Sequence, residues 1–157
     1  MNFESLTWAG VEADCNSHPL LIRFREFPKR FPKSKYPQRI NIFWKMSEAD
    51  ENGLPTEEEF NKLSTFENRL VNAVERDEHS ILVAALTCNE EKEFIFYTAD
   101  VPGFMERLTK MPQEKGRYPV TIQSEDDPSW RYFKAVTPKL VDKSRSSTGK
   151  RTSTKRS

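Results

Sequence analysis

Cysteine, glycine and histidine are scarce in this 157-residue chain, which has two Cys, five Gly and two His. Each shortage closes off some chemistry. Cys15 and Cys88 fall in separate expected elements. They are too few for a disulfide scaffold and read as reduced thiols of a cytoplasmic protein. Cys15-x-x-His18 has the spacing of metal ligands, but His79 and Cys88 stand at opposite ends of one expected strand, too far apart to share an ion, so no metal is expected. Glycines at 10, 53, 103, 116 and 149 form no Gly-x-Gly-x-x-Gly loop. Ser147-Thr148-Gly149-Lys150-Arg151-Thr152 lacks the earlier glycine, the preceding strand and the following helix of a phosphate loop, and no cofactor is expected. Without a Gly-x-Ser-x-Gly elbow, two loop histidines give a nucleophilic triad little to work with. Long apolar runs are missing too. The longest, Ile81-Leu82-Val83-Ala84-Ala85-Leu86, is far short of the about 20 residues that cross a bilayer, so no membrane partner is expected. The first residues, Met1-Asn2-Phe3-Glu4-Ser5, have neither the basic nor the apolar segment of a secretory signal.

Aromatic residues are plentiful at 11%, including eleven Phe, which argues for a packed core in one domain. Charge cancels to a net +1 but is unevenly spread. From 143 to 157 the chain reads KSRSSTGKRTSTKRS, basic and Ser/Thr-rich with nothing apolar, and is expected to be a disordered tail on a single domain over 1–142. Within that domain Leu20–Arg39 is basic apart from Glu26, whereas Met46–Glu78 is strongly acidic.

The clearest element is a helix after Gly53-Leu54-Pro55. Thr56 and Glu59 have capping-box spacing, and Glu57, Glu58 and Glu59 suit the positive end of the helix dipole. Phe60, Leu63, Leu70, Val71 and Val74 share an arc, which predicts an amphipathic helix to about Arg76. Strands are expected at 20–27, 39–46, 80–88, 93–99 and 119–123, with a hairpin loop at 89–92. A second helix is expected over 102–111, capped by Asp100. From Arg39 the order strand, helix, strand, strand, helix, strand predicts an α+β, ferredoxin-like βαββαβ core. An added amino-terminal hairpin, from about Leu6 to Phe27, extends it, and the helices lie mainly on one face of an antiparallel sheet.

Several motifs occur in a set order: Trp8, Ile40-x-Ile42-x-Trp44, Gly53-Leu54-Pro55-Thr56-Glu57-Glu58-Glu59, Glu67-Asn68-Arg69-Leu70, Phe96-Tyr97 and Asp127-Pro128-Ser129-Trp130-Arg131-Tyr132. From about Trp8 to Pro138 the chain resembles the bacterial domain-of-unknown-function family 695. The resemblance implies a small α+β domain and, for some relatives, fusion to a domain similar to a protein regulator of ribonuclease activity. It assigns no reaction and no catalytic residue.

Three groups of residues are candidates for a site. Glu67 lies inside the apolar arc of the long helix, where a carboxylate needs a cation or backbone donors; a structural pairing with an Arg or Lys of the sheet is weighed there against a pocket. Asp126 and Asp127 could be paired acids, but Asp127 before Pro128 reads more simply as a helix cap, with Trp130 and Phe133 turned inward. The third group is basic and aromatic. Strand parity places Arg23, Arg25, Arg39, Phe43 and Lys45, with Tyr97, on an uncovered sheet face, and Lys29 and Arg30 in the adjoining loop. Such a platform suits stacking and phosphate contacts. The expected function is therefore a non-catalytic interaction or regulatory module binding a protein partner. The alternatives are weak single-stranded nucleic-acid binding on the basic face and a small-substrate hydrolase using carboxylates.

Overall fold

The computed structural model describes residues 2–112 and 118–137. The tail expected from 143 onward lies outside the described residues. Six strands form one antiparallel sheet: β1 (Trp8–Cys15), β2 (His18–Arg25), β3 (Gln38–Lys45), β4 (Ser80–Cys88), β5 (Glu91–Thr98) and β6 (Val120–Asp126), in the order β1-β2-β4-β5-β3-β6. Three α-helices complete the described residues: α1 (Glu57–Val74), α2 (Val101–Lys110) and α3 (Arg131–Val136). The protein is α+β, as expected, and the added amino-terminal hairpin is β1–β2, closed by Asn16 and Ser17, both at positive φ.

Both faces of the sheet are covered, because the strands offer apolar side chains in both directions. On β3, Ile40, Ile42 and Trp44 pack under α1 and α2 with Leu63, Phe66, Leu70, Phe94, Phe96 and Phe104. On β2, Leu20, Ile22 and Phe24 point the other way, into a second core with Phe31, Tyr36, Ile81, Val83, Tyr97, Trp130 and Phe133. The lid of this back core is the β2–β3 connection, the amino-terminal turn Phe3–Ser5 and α3. The helices lie mainly on one face, as expected: α1 and α2 share it, and the six-residue α3 lies on the opposite one. The central strands serve both cores, which is why Ile81–Ala85 and Phe94–Thr98 are buried without alternation.

Thr56 caps α1, its Oγ1 accepting from Glu59 N–H at 3.2 Å, and Asp100 caps α2, accepting from Gly103 N–H. The buried stripe of α1 is Glu59, Leu63, Phe66, Leu70 and Val74. This is one residue off the expected arc, so Phe60 lies outside the core, 53% exposed. Glu59 takes its place because the Trp44 indole Nε1 donates to its carboxylate at 2.8 Å, with Ser47 N–H and Oγ donating as well. Buried in that way, the Glu59 carboxylate is fully partnered.

Candidate functional site

The expected cationic platform divides between the two cores. Arg23 and Arg25 lie on the α1 side of β2, not on an open face. Arg23 makes a two-pronged contact with Glu67 of α1, Nη2 lying 2.9 and 2.8 Å from its two oxygens. Arg25 is buried; its Nη1 donates to Glu75 at the carboxyl end of α1 and to the Leu82 carbonyl, and its Nε has no partner. Both guanidinium groups also lie over Trp8, at 4.5 and 4.9 Å from the ring centre. Lys92 of β5 sits 3.9 Å from Glu67 and is held below its ordinary pKa by burial, which Glu67 opposes and Arg23 reinforces. Glu67 therefore ties α1 to two cations of the sheet. Glu67 itself is half-buried and not in the apolar stripe.

Arg39, Phe43 and Tyr97 belong to the back face, and they do not meet Arg23 or Arg25. Arg39 packs under α3 with its guanidinium 4.4 Å from the Tyr132 ring centre, and it contacts Glu125, Asp127 and Asn41. Tyr97 is fully buried, stacked on Trp130 at 4.3 Å and 14°, with its hydroxyl donating to Asp127 at 2.7 Å. Phe43 is half-buried; Lys45 is exposed at the end of β3, and Lys29 and Arg30 are exposed in the β2–β3 connection.

Asp127 accepts from the first amides of α3, as a cap would, but the helix starts three residues later than the expected Pro128. The helix begins at Arg131, after Trp130 in the left-handed region, φ 58°. Asp127 accepts from Arg131 N–H, Tyr132 N–H and the Tyr97 hydroxyl, with Arg39 at 3.4 Å. Burial alone would raise its pKa; those donors and the Arg39 charge outweigh it and hold the carboxyl below the usual aspartate range. Neighbouring Asp126 is exposed and accepts from Gln38. Trp130 donates from Nε1 to the Tyr36 carbonyl, so the ring closes the lid with its polar atom satisfied.

One constellation was missed in the sequence. Ser80 Oγ lies 2.8 Å from His79 Nδ1, and His79 Nε2 lies 2.9 Å from Asp100 Oδ2. These are the residue types of a nucleophilic triad, yet Ser80 has no exposed surface and shares its hydroxyl with Thr98 Oγ1 at 2.7 Å. A substrate carbonyl has no way in. The arrangement joins the start of β4 to the cap of α2, where the Gly103 N–H first, and then His79, lower the Asp100 pKa. Adjacency of His79 and Ser80 was the only trace of it in the sequence. Among the described residues no three His, Cys, Asp or Glu side chains are grouped to hold a metal ion. A cleft of about 450 Å³ beside the start of the β2–β3 connection is lined by Asn2, Thr7, Glu26 and Arg30 among others, away from Glu67 and Asp127.

Two features remain exposed. Lys29, Arg30, Lys35, Arg131 and Lys134 are exposed on the lid of the back core, and Lys33 lies among them over Trp130, its pKa lowered by burial and by Lys134. Among the described residues no carboxylate pairs with any of them. The second is the pair of end strands, β1 and β6, each with one partner strand among the described residues.

No curated protein and no solved structure matches the chain. A family model does, over residues 7–136, which among the described residues includes all six strands, all three α-helices and both cores apart from Phe3 and Leu6. The chain belongs to DUF695, a family of unknown function.

Proposed function

We propose that this protein is a non-catalytic interaction module that binds a protein partner in the cytoplasm. One observation carries the reading: the polar groups capable of chemistry are engaged with one another, while among the described residues the main chain along the two end strands has no further partner strand. Catalysis needs a reacting group that a substrate can reach. Asp127 and Ser80 are buried and Glu67 is bound to two cations, so the hydrolase alternative has little to draw on. Two free cysteines support the cytoplasmic part of the reading. The ferredoxin-like description of β3–α1–β4–β5–α2–β6 is part of the same proposal; in its favour, β5 lies between β4 and β3, and β6 adds to the far side of β3, all antiparallel.

The test is cross-linking of the tagged full chain in an extract of its own organism, with the linked peptides identified by mass spectrometry. Recurrent links from one partner to lysines between 29 and 134 are expected. Links confined to residues 143–157 refute an interface on the folded part.

The unpaired cations on the lid favour a second reading, nucleic-acid binding there. Phe31, Tyr36 and Trp130 are buried beneath them, so the contact would be to phosphates and not to stacked bases. It predicts full-chain affinity for a labelled single-stranded oligonucleotide that falls steeply with salt and drops with Lys29→Glu plus Lys134→Glu. Binding that those two changes leave untouched rules the lid out.

A further inference from the structure

Strand β1 is an end strand, paired with β2 alone from Trp8 to Cys15 in an unbroken register. The parity of its hydrogen bonds is fixed at both ends. Glu26 N–H donates to the Thr7 carbonyl at 2.8 Å, and Cys15 faces His18 across the two-residue hairpin loop. Odd-numbered residues therefore exchange bonds with β2, and Trp8, Gly10, Glu12 and Asp14 turn N–H and C=O outward. Among the described residues no backbone group takes up that rim.

Side chains alternate in step with the main chain. Ala9, Val11, Ala13 and Cys15 are half-buried against the back core, so an apolar row runs out to the edge and stops there. On the opposite side Gly10, Glu12 and Asp14 are exposed, and two of these three carry negative charge. The other end strand, β6, offers no such row: its back-facing Thr121, Gln123 and Glu125 are polar and exposed.

Resting on the protein-binding reading above, we propose that β1 is a docking edge for an extended segment of a partner protein that alternates basic and apolar side chains. An added strand shares side-chain faces with its neighbour. Residues opposite Val11 and Ala13 continue the apolar row, and residues opposite Glu12 and Asp14 are Lys or Arg. The main chain supplies affinity, and the two-residue alternation supplies selection. The same acidic pair discourages acidic or neutral strands from the edge, which is how natural sheets keep their ends from indiscriminate pairing.

The probe is a fluorescein-labelled, end-capped peptide, Lys-Val-Lys-Val-Thr-Val-Lys, titrated against the full chain and followed by anisotropy and amide NMR. Saturable binding is expected, with the largest amide shifts at Trp8, Gly10, Glu12 and Asp14. Gly10→Pro deletes one outward N–H and no ladder bond, a change end strands tolerate. It should weaken binding at least about tenfold, or roughly 1.4 kcal/mol, with the thermal midpoint little changed. If that variant fails to fold, Glu12→Lys with Asp14→Lys should give a loss of similar size, and a Lys-to-Glu version of the peptide should not bind. The inference is overturned by amide shifts on β6, by affinity that both variants retain, by no binding, or by a β1-mediated dimer of the chain itself. In each of those cases cross-links to another partner elsewhere on the folded part would leave the module reading standing.

Discussion

Each face of the sheet sets an arginine beside a carboxylate, and the two pairs are built in opposite ways. Under α1, Glu75 receives two donors, Arg25 Nη1 and Leu82 N–H, both at 2.9 Å. Burial pushes its pKa up even with the Arg25 charge in contact, and Arg25 keeps an unpartnered Nε. Under α3, Asp127 gathers two backbone amides, a tyrosine hydroxyl and Arg39, and its pKa is pushed down. One opposite charge does not settle a buried carboxylate; several converging donors do.

The largest effect should come from removing the keystone of the back lid. Trp130→Ala strips the stack on Tyr97 and edge contacts with Phe27 and Phe133, and should cost about 3–5 kcal/mol in chemical denaturation. Phe66→Ala, its counterpart under α1, falls in the same range. The two faces separate in hydrogen exchange. With Trp130 gone, the back lid, built from a connection, a short amino-terminal turn and a six-residue helix, should lose protection locally before the sheet opens.

Arg25→Ala comes next, at about 3 kcal/mol, since it leaves the largely enclosed Glu75 with one backbone donor and no cation. Replacing both, Arg25→Met with Glu75→Leu, should recover most of that loss. A double variant as unstable as the single one would show that the pair itself stabilises the fold, and the contrast with Asp127 would collapse.

pH sharpens the same contrast through its sign. Asp127 has a depressed folded-state pKa, so its contribution is present in full above the unfolded value of about 3.9 and is lost as pH falls through the lower folded value. Glu75 has a raised one. As pH falls from neutrality the folded state takes up that proton first, so its share of stability rises through the folded pKa and levels off below about 4.3. Asp127→Asn should cost about 1–3 kcal/mol near neutrality and flatten the acid limb. Glu75→Gln should remove the rise. Identical profiles for the two variants would erase the distinction.

Much of the fold was legible in the sequence: five strands of six within a few residues, α1, α2, both caps and the added hairpin. Alternation on the two strands flanking the basic loop was legible too. Their relative facing was not. Leu20, Ile22 and Phe24 point into one core and Ile40, Ile42 and Trp44 into the other, and nothing inside either strand fixes which way its apolar set turns. The unbroken runs Ile81–Leu86 and Phe94–Tyr97 were the missed signal, because a strand apolar on both sides needs cover on both sides. That cover put Arg23 and Arg25 under a helix. The cluster around Asp127 joins residues from β3, β5 and α3, up to 88 positions apart, and no local pattern announces such an assembly.

Glu59 shows that donor number, not the face of the sheet, governs the comparison. It lies under α1 with Glu75, yet burial is outweighed there by donors from Trp44 and Ser47 and its pKa is lowered, as for Asp127. The buried stripe of α1 is set by that anchored carboxylate, and Phe60, one position on, is turned to solvent. Phe60→Ala should therefore shift stability by no more than about 0.5 kcal/mol, the smallest effect here. A cost of about 3 kcal/mol or more, as for a buried phenylalanine, would mean that α1 is rotated towards the arc expected from apolar spacing alone. Glu59 would then lose Trp44, the largest of the contributions that hold its pKa down.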